Sequence, residues 1–362
     1  MKIAMIGHKR IPGREGGIEV VVEELSTRMV KKGHKVTAYN RKKKSITPLK
    51  EIEGVRLVNI PTIENKNLDA VIYSFLATIK ALFGGYDILH FHAIGPSAMV
   101  FIPKLFKKKT VVTVHGLNYK TPKWKGFGAR YLKFAEKMVA KYADAVITLS
   151  KEQKNYFMEK YNREAIYIPN GTVVNEYVDC DVLSNWQLKK NGFVLYLSRV
   201  VPGKGLENLI DAYKQLETDL PLVIAGGSEY VSDFRERMEQ KAEGDDRIHF
   251  IGHVGGSVVP ALYSNARLFV FPSEAEGMPM CLLEAMSYNT PCLVSDIPEN
   301  KEIGKKYVDY FEVSNTNDLL EKLRQAIKER KITESRSYVL REYDWDVVVE
   351  RTLGLYEDIC YE

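Results

Sequence analysis

The feature that most constrains the fold is a strand–helix alternation that runs once through the first half of the chain and then restarts. β-Branched and aliphatic runs occur at "KIAMIG" (2–7), "KVTAYN" (35–40), "VRLVNI" (55–60), "ILHFH" (88–92), "TVVTVH" (110–115) and "AVITLS" (145–150). Amphipathic stretches such as "EVVVEELSTRMVKKG" lie between them, with apolar residues at i, i+3 and i+4. A second series follows at "FVLYLS" (193–198), "PLVIAGG" (221–227), "RIHFIGHV" (247–254), "RLFVFPS" (267–273) and "PCLVSDI" (291–297). Such alternation predicts parallel, doubly wound sheets.

Two series within 362 residues predict an α/β chain of two tandem Rossmann-like domains, because one core rarely grows to that size. The expected boundaries are 1–170 for the first domain, 171–192 for a linker opening on Asn170-Gly171, and 193–343 for the second. A last helix at about 344–362 is expected to pack back onto the first domain. Ligands of such sheets bind beyond the C-terminal strand ends, and a cleft between two domains is the default site.

Charge divides the chain in the same place. Residues 1–170 hold 31 Lys and Arg against 14 Asp and Glu, whereas the remainder holds 21 against 33. Clusters at "RKKK" (41–44), "KLFKKK" (104–109) and Lys120, Lys123 and Lys125 make the first half strongly basic. A solvated surface accounts for this; so would an anionic membrane face or phosphorylated acceptor met by the first domain. Nucleic acid is not expected, since no recognition motif accompanies the charge. The start "MKIAMIGHKR" has too short an apolar run for a signal peptide, and no run approaches 18 apolar residues, so a cytoplasmic protein is expected. Cys180, Cys281, Cys292 and Cys360 lack metal-ligand spacing and are expected as reduced thiols.

The chemistry is sought at strand ends. After the first strand, Gly13, Gly16 and Gly17 precede an apolar-periodic helix, where a bare backbone can approach a phosphate at a helix N-terminus. The G-x-G-x-x-G fingerprint is absent, and an ordinary turn remains open. "LSRVVPGKG" sets Arg199 and Lys204 five apart across a turn, a guanidinium fork and a point charge suited to a diphosphate. "TVHGLN" places His115 at a strand end, where it meets a substrate or serves structure.

"SEAEGMPMCLLE" (273–284) carries Glu276 and Glu284. On one helix, eight residues separate them by about 12 Å and about 80° around the axis, too far to share a small ligand. If the chain turns at Gly277–Met278 and the helix begins at Pro279, both face one ligand at the helix start. As a hydrolase pair they would leave Arg199 and Lys204 unexplained. The D-x-D sequences "DCD" (179–181) and "DWD" (344–346) fit metal–diphosphate binding, but neither follows a predicted strand, which favours chance or capping.

The ordered set of motifs resembles the retaining glycosyltransferases of family 4 over essentially the whole chain: the glycine loop, His-Gly, Ser-Arg-x4-Lys, and the E-x7-E of "FPSEAEGMPMCLLEAM". That resemblance implies the GT-B fold of two Rossmann-like domains. "IPGREGGIEVVVEEL" and "HGLNYKTPKW" further resemble bacterial enzymes of surface-polysaccharide assembly, rhamnosyltransferases among them. Carried over, Arg199 and Lys204 bind the donor diphosphate, Glu276 contacts the donor sugar and Glu284 the ribose. Gly16 and Gly17 offer amides to the phosphate, and His115 contacts the transferred sugar. Gly252, His253 and Val254 hold the base, with Gly277, Met278, Cys281 and Leu282 around the helix start. Many relatives have glycine where Pro279 stands; proline has no N–H to offer a sugar hydroxyl. The implied reaction is metal-independent, retaining transfer from a UDP-, dTDP- or GDP-linked sugar to an acceptor hydroxyl. An acceptor carried on a membrane lipid would set the basic first domain peripherally against the inner face of the membrane. A sugar-nucleotide epimerase or a silent nucleotide-sugar binder of the same fold are the alternatives.

Overall fold

The computed structural model describes residues 1–362 except 14, 15, 43–46, 64–68, 117–125, 174, 175, 228–231, 330, 332 and 362. Lys43, Lys44, Lys120, Lys123 and Lys125 of the basic clusters therefore lie outside the described residues, as does most of "HGLNYKTPKW". The chain divides into two compact units, 1–171 with 345–362, and 172–344.

The first unit is built on β1 (Lys2–Ile6), β2 (Lys35–Arg41), β3 (Glu51–Ile52), β4 (Val55–Ile60), β5 (Ile88–His92), β6 (Lys109–Val114), β7 (Ala145–Thr148) and β8 (Ile166–Tyr167). They form one sheet in the order β3-β4-β2-β1-β5-β6-β7-β8, parallel except for β3 against β4. Ile3 pairs with Val36 on one side and Ile88 on the other, so the strand order reverses at β1/β5. Ile3, Ala4, Met5 and Ile6 are fully buried, as a parallel strand covered on both faces requires. Helices α1 (Gly17–Lys31), α2 (Asp69–Leu82), α3 (Phe101–Leu105), α4 (Phe127–Tyr142) and α5 (Lys151–Tyr161) supply the crossovers. Ser150 caps α5 by accepting from the Gln153 amide at 3.2 Å, and Asn162 ends it in the left-handed region.

The second unit holds β9 (Val194–Leu197), β10 (Leu222–Ala225), β11 (Ile248–Gly252), β12 (Leu268–Phe271), β13 (Cys292–Ser295) and β14 (Asp309–Phe311), with α6 (Leu206–Lys214), α7 (Ser232–Ala242), α8 (Val258–Asn265), α9 (Met280–Ser287), α10 (Pro298–Gly304), α11 (Thr316–Glu329) and α12 (Ser335–Tyr343). Its order, β11-β10-β9-β12-β13-β14, is wholly parallel and reverses at β9/β12. Tyr196, Leu209, Leu222, Val270, Leu293 and Leu323 meet in its core. Residues 180–186, within the stretch expected as a linker, form a 3-10 turn that packs on α8. There the Asn265 side chain donates to the Val178 carbonyl at 2.9 Å.

The last helix, α13 (Trp345–Tyr361), belongs to the first unit and packs on α1. Ion pairs Lys32–Glu350 (3.0 Å) and Arg28–Asp346 (3.5 Å) join the two, but exposed pairs contribute little. Buried Trp345, which lies against the bare Cα of Gly171, supplies the apolar anchor.

Candidate functional site

Arg199 and Lys204 lie on the loop leaving β9, and Glu276 on the loop leaving β12, the two strands between which the order reverses. In an open parallel sheet that is the place where side-by-side loops part and leave a crevice. The two loops are tied together through backbone. The Glu274 amide donates to the Gly203 carbonyl at 3.0 Å. Gly205 has φ +66°, and a Cβ there would stand 1.9 Å from the Pro272 carbonyl oxygen. Only glycine permits that approach. Gly226, with φ +149°, passes equally close to the Ser198 carbonyl and brings the end of β10 against the residue before Arg199.

This tie fixes the charged groups. Lys204 makes an ion pair with Glu276, the two side chains being 14% and 11% exposed. Glu276 also accepts from the Ser273 hydroxyl at 2.5 Å. Lys204 further lies 5.7 Å from the Phe271 ring centroid. Arg199 is exposed and, among the described residues, its side chain makes no hydrogen bond or ion pair. The two cations expected to act together thus differ: one is held by a carboxylate, the other presents its guanidinium to solvent.

The turn expected at Gly277–Met278 is present, but helix α9 begins one residue later than expected, at Met280. Pro279 is its N-cap, with φ −79° and ψ 85°, and its carbonyl accepts from the Leu282 and Leu283 amides. Proline fixes φ but not ψ, and this extended ψ holds it outside the helix. Met278 and Leu282 are buried beneath the turn. Glu284 accepts from the Tyr263 hydroxyl at 3.1 Å. Cys281 is half-buried, and desolvation, then the Glu276 charge, pushes its thiol well up, so it stays protonated and is no nucleophile. Gly252 closes β11 with φ +74°; His253 after it is exposed and Val254 half-exposed. Asp179 accepts from the Asp181 amide at the head of the 3-10 turn, which is capping, and Asp346 pairs with Arg28. Among the described residues no group of three or more His, Cys, Asp or Glu is arranged to hold a metal ion.

In the first unit, Gly16 is the N-cap of α1 and no side chain caps it. A Cβ at Gly17 would meet nothing within 4 Å, so packing does not demand that glycine. Glu19 of the first turn instead accepts from the Lys9 amide at 2.9 Å and steadies the loop. His115 follows β6, and its Nε2 lies 3.1 Å from Nδ1 of His92 at the end of β5. The His92 ring packs at a tilt of 31° against His90, with centroids 4.2 Å apart. His90 in turn is held by the Tyr356 hydroxyl at 2.5 Å and Thr113 at 2.7 Å. Nearby His8 donates to Asn40 at 2.9 Å. Burial lowers all four: His8 and His115 to about 4, His90 to about 3, and His92 well below its usual value. Desolvation disfavours the imidazolium, so at neutral pH the cluster is uncharged and acts by hydrogen bonding. His8, His90, His92, Tyr263 and Ser273 were not foreseen. "ILHFH" did carry a signal, since residues two apart on a strand share a face.

Two family models together span most of the chain. The one described as "Glycosyltransferase Family 4" matches residues 15–176, and "Glycosyl transferases group 1" matches 184–341. The chain is a family 4 glycosyltransferase. It is 24% identical over 356 residues to the O-antigen chain mannosyltransferase B of Escherichia coli, covering 87% of this chain and 91% of that protein. It is 28% identical over 277 residues to the UDP-Gal:alpha-D-GlcNAc-diphosphoundecaprenol alpha-1,3-galactosyltransferase of the same organism, covering 72% and 71%. Among solved structures, the sucrose-phosphate synthase of Thermosynechococcus elongatus superposes with a TM-score of 0.86 at 21% identity, covering 99% and 98%. The paired Rossmann-like units are the GT-B fold of this family. The chain transfers sugars; a rhamnosyl subgroup has no support among these relatives.

Proposed function

We propose that this family 4 glycosyltransferase moves a hexosyl or deoxyhexosyl group from a nucleotide diphosphate sugar to a hydroxyl of a lipid-linked saccharide, with retention and without a metal. The observation that carries the reading is the Gly205 approach, which sets Lys204 against Glu276, a carboxylate that also accepts from Ser273, where the strand order reverses. Departure of the anionic diphosphate is the costly step, and fixed positive charge aimed at it is the largest available stabilisation. Arg199 supplies a fork and Lys204 a point charge; the N-terminus of α9 adds its dipole. A bound diphosphate would draw Lys204 from Glu276, freeing that carboxylate to accept from a sugar hydroxyl. Glu284, steadied by Tyr263, would accept from the ribose, and the backbone at Gly252–Val254 would meet the base. The Gly16 and Gly17 amides would serve phosphate, and neutral His115, oriented by His92, the transferred sugar. The name of the second Escherichia coli relative, which specifies UDP-Gal and a diphosphoundecaprenol acceptor, supports a nucleotide diphosphate sugar as donor and a lipid-borne acceptor.

A thermal-shift panel tests the donor. A true donor at about 100 times its Kd stabilises the fold by about 2.7 kcal/mol. One of the UDP-, GDP- or dTDP-sugars should raise the melting point while the others do not; no shift with any of them overturns the reading. Donor turnover without acceptor would instead indicate an epimerase. Activity is also expected to survive EDTA. Loss that manganese restores would assign a metal to this enzyme and redirect attention to Asp179 and Asp181 or Asp344 and Asp346.

A further inference from the structure

No described helix is long and apolar enough to cross a membrane, yet the first unit carries an apolar face on the outside of α2 and α3. Helix α2 reads "DAVIYSFLATIKAL", with no charge after Asp69 except Lys80. Its inner face, including Tyr73, Ala77, Ala81 and Leu82, packs into the core. Phe75 and Leu76 nevertheless point outward, and Phe83, just past its end, is 83% exposed. Ordinary surface helices put charged residues there. Helix α3 packs against α2 and ends in Leu105 and Phe106, which are 75% and 59% exposed. Isolated exposed apolar residues need no explanation, but five large ones on or just past the ends of two adjacent helices do.

The charges carried by these two segments have one sign. Segments 70–83 and 101–109 contain Lys80, Lys104, Lys107, Lys108 and Lys109 and no acidic residue. Lys80, Lys104 and Lys107 are exposed, and Lys104 pairs with Asp144 of the neighbouring chain turn. Aromatic and leucine side chains ringed by lysines match the boundary of an anionic bilayer: the apolar groups enter the acyl edge while the ammonium groups meet headgroups. A second copy of the chain would bring lysines against lysines, which disfavours self-association through this face.

We propose that the α2–α3 face, with Phe75, Leu76, Phe83, Leu105 and Phe106 as anchors, docks the first unit onto an anionic lipid surface. The proposal gives a physical basis to the lipid-borne acceptor above and rests on that reading for its purpose; its test needs neither donor nor acceptor, so the two stand or fall separately. The full chain would be sedimented with vesicles of phosphatidylcholine alone or mixed with phosphatidylglycerol. Partitioning should favour the anionic vesicles by at least about tenfold and weaken as salt rises, given that each lysine near such a surface contributes roughly fivefold. Phe83→Ser with Phe106→Ser should lower it about tenfold or more. Lys80→Gln, Lys107→Gln and Lys108→Gln together should reduce binding to the neutral-vesicle level. Circular dichroism melts keep the comparison honest, and the lysine variant carries the test if the serine variant does not fold. Equal binding to both vesicle types, or wild-type binding by the folded serine variant, overturns the proposal. So does a dimer in sedimentation equilibrium that the serine variant disperses, which would give the face to a second copy.

Discussion

Replacing Arg199 with alanine is expected to lower kcat/KM for sugar transfer at least about 100-fold, a loss of about 2.7 kcal/mol of transition-state stabilisation, at nearly unchanged stability. The second half of that expectation makes the variant informative. The Arg199 side chain is exposed and makes no ion pair among the described residues, so its removal should shift unfolding by less than about 0.5 kcal/mol. Lys204→Ala should cost at least as much rate, but it also leaves the largely buried Glu276 carboxylate without its ion-pair partner. A fall in melting temperature is expected for that variant only. Steady-state kinetics and denaturant melts on both proteins check the pair. Near-wild-type turnover by a folded Arg199→Ala would end the diphosphate assignment, because no structural loss could be compensating.

Periodicity made the sheets legible because parallel strands buried on both faces read as continuous apolar runs, and every such run became a strand within one or two residues at each end. β3, β8 and β14 escaped because two or three residues at a sheet edge show no period. One of them left a trace. Ile52 pairs with Val55 across Glu53-Gly54, both with positive φ, a two-residue hairpin turn that the Gly54 position hints at. The charged site was legible in its members and not in its pairing. Arg199, Lys204 and Glu276 stand in loops after strand ends and Glu284 inside α9, close to where pattern put them, but the Lys204–Glu276 contact spans 72 residues and depends on backbone tied through Gly203 and Gly205. The histidine cluster was hidden for a related reason. His92 and His115 meet only because β5 and β6 are neighbours in register, His92 beside Thr113. Pro279 differed by one position, since its φ suits either the cap or the first turn and only the tertiary setting selects ψ.

That dependence on backbone gives the second expectation, for a residue without a functional group. Gly205→Ala should destabilise the chain by about 3 kcal/mol and, in the fraction that folds, depress kcat/KM toward the level of Lys204→Ala. Two costs combine. An alanine at φ +66° pays roughly 1–2 kcal/mol for the left-handed conformation. Its Cβ, placed 1.9 Å from the Pro272 carbonyl oxygen, must also push the β9 and β12 loops apart, a shift costing about 1–3 kcal/mol in a packed interior. No side chain that could move aside is involved; the obstacle is backbone. Separation of the loops would draw Lys204 from Glu276, so activity should fall although every charged residue is present. Glycine at 203 is the internal control: φ is +84° there, but a Cβ would meet nothing within 4 Å. Gly203→Ala should therefore show the conformational cost alone, about 1 kcal/mol, and keep most of its activity. Equal kinetics for the two alanine variants would mean that the close approach at Gly205 does not organise the site, and that Lys204 can find the leaving group without it.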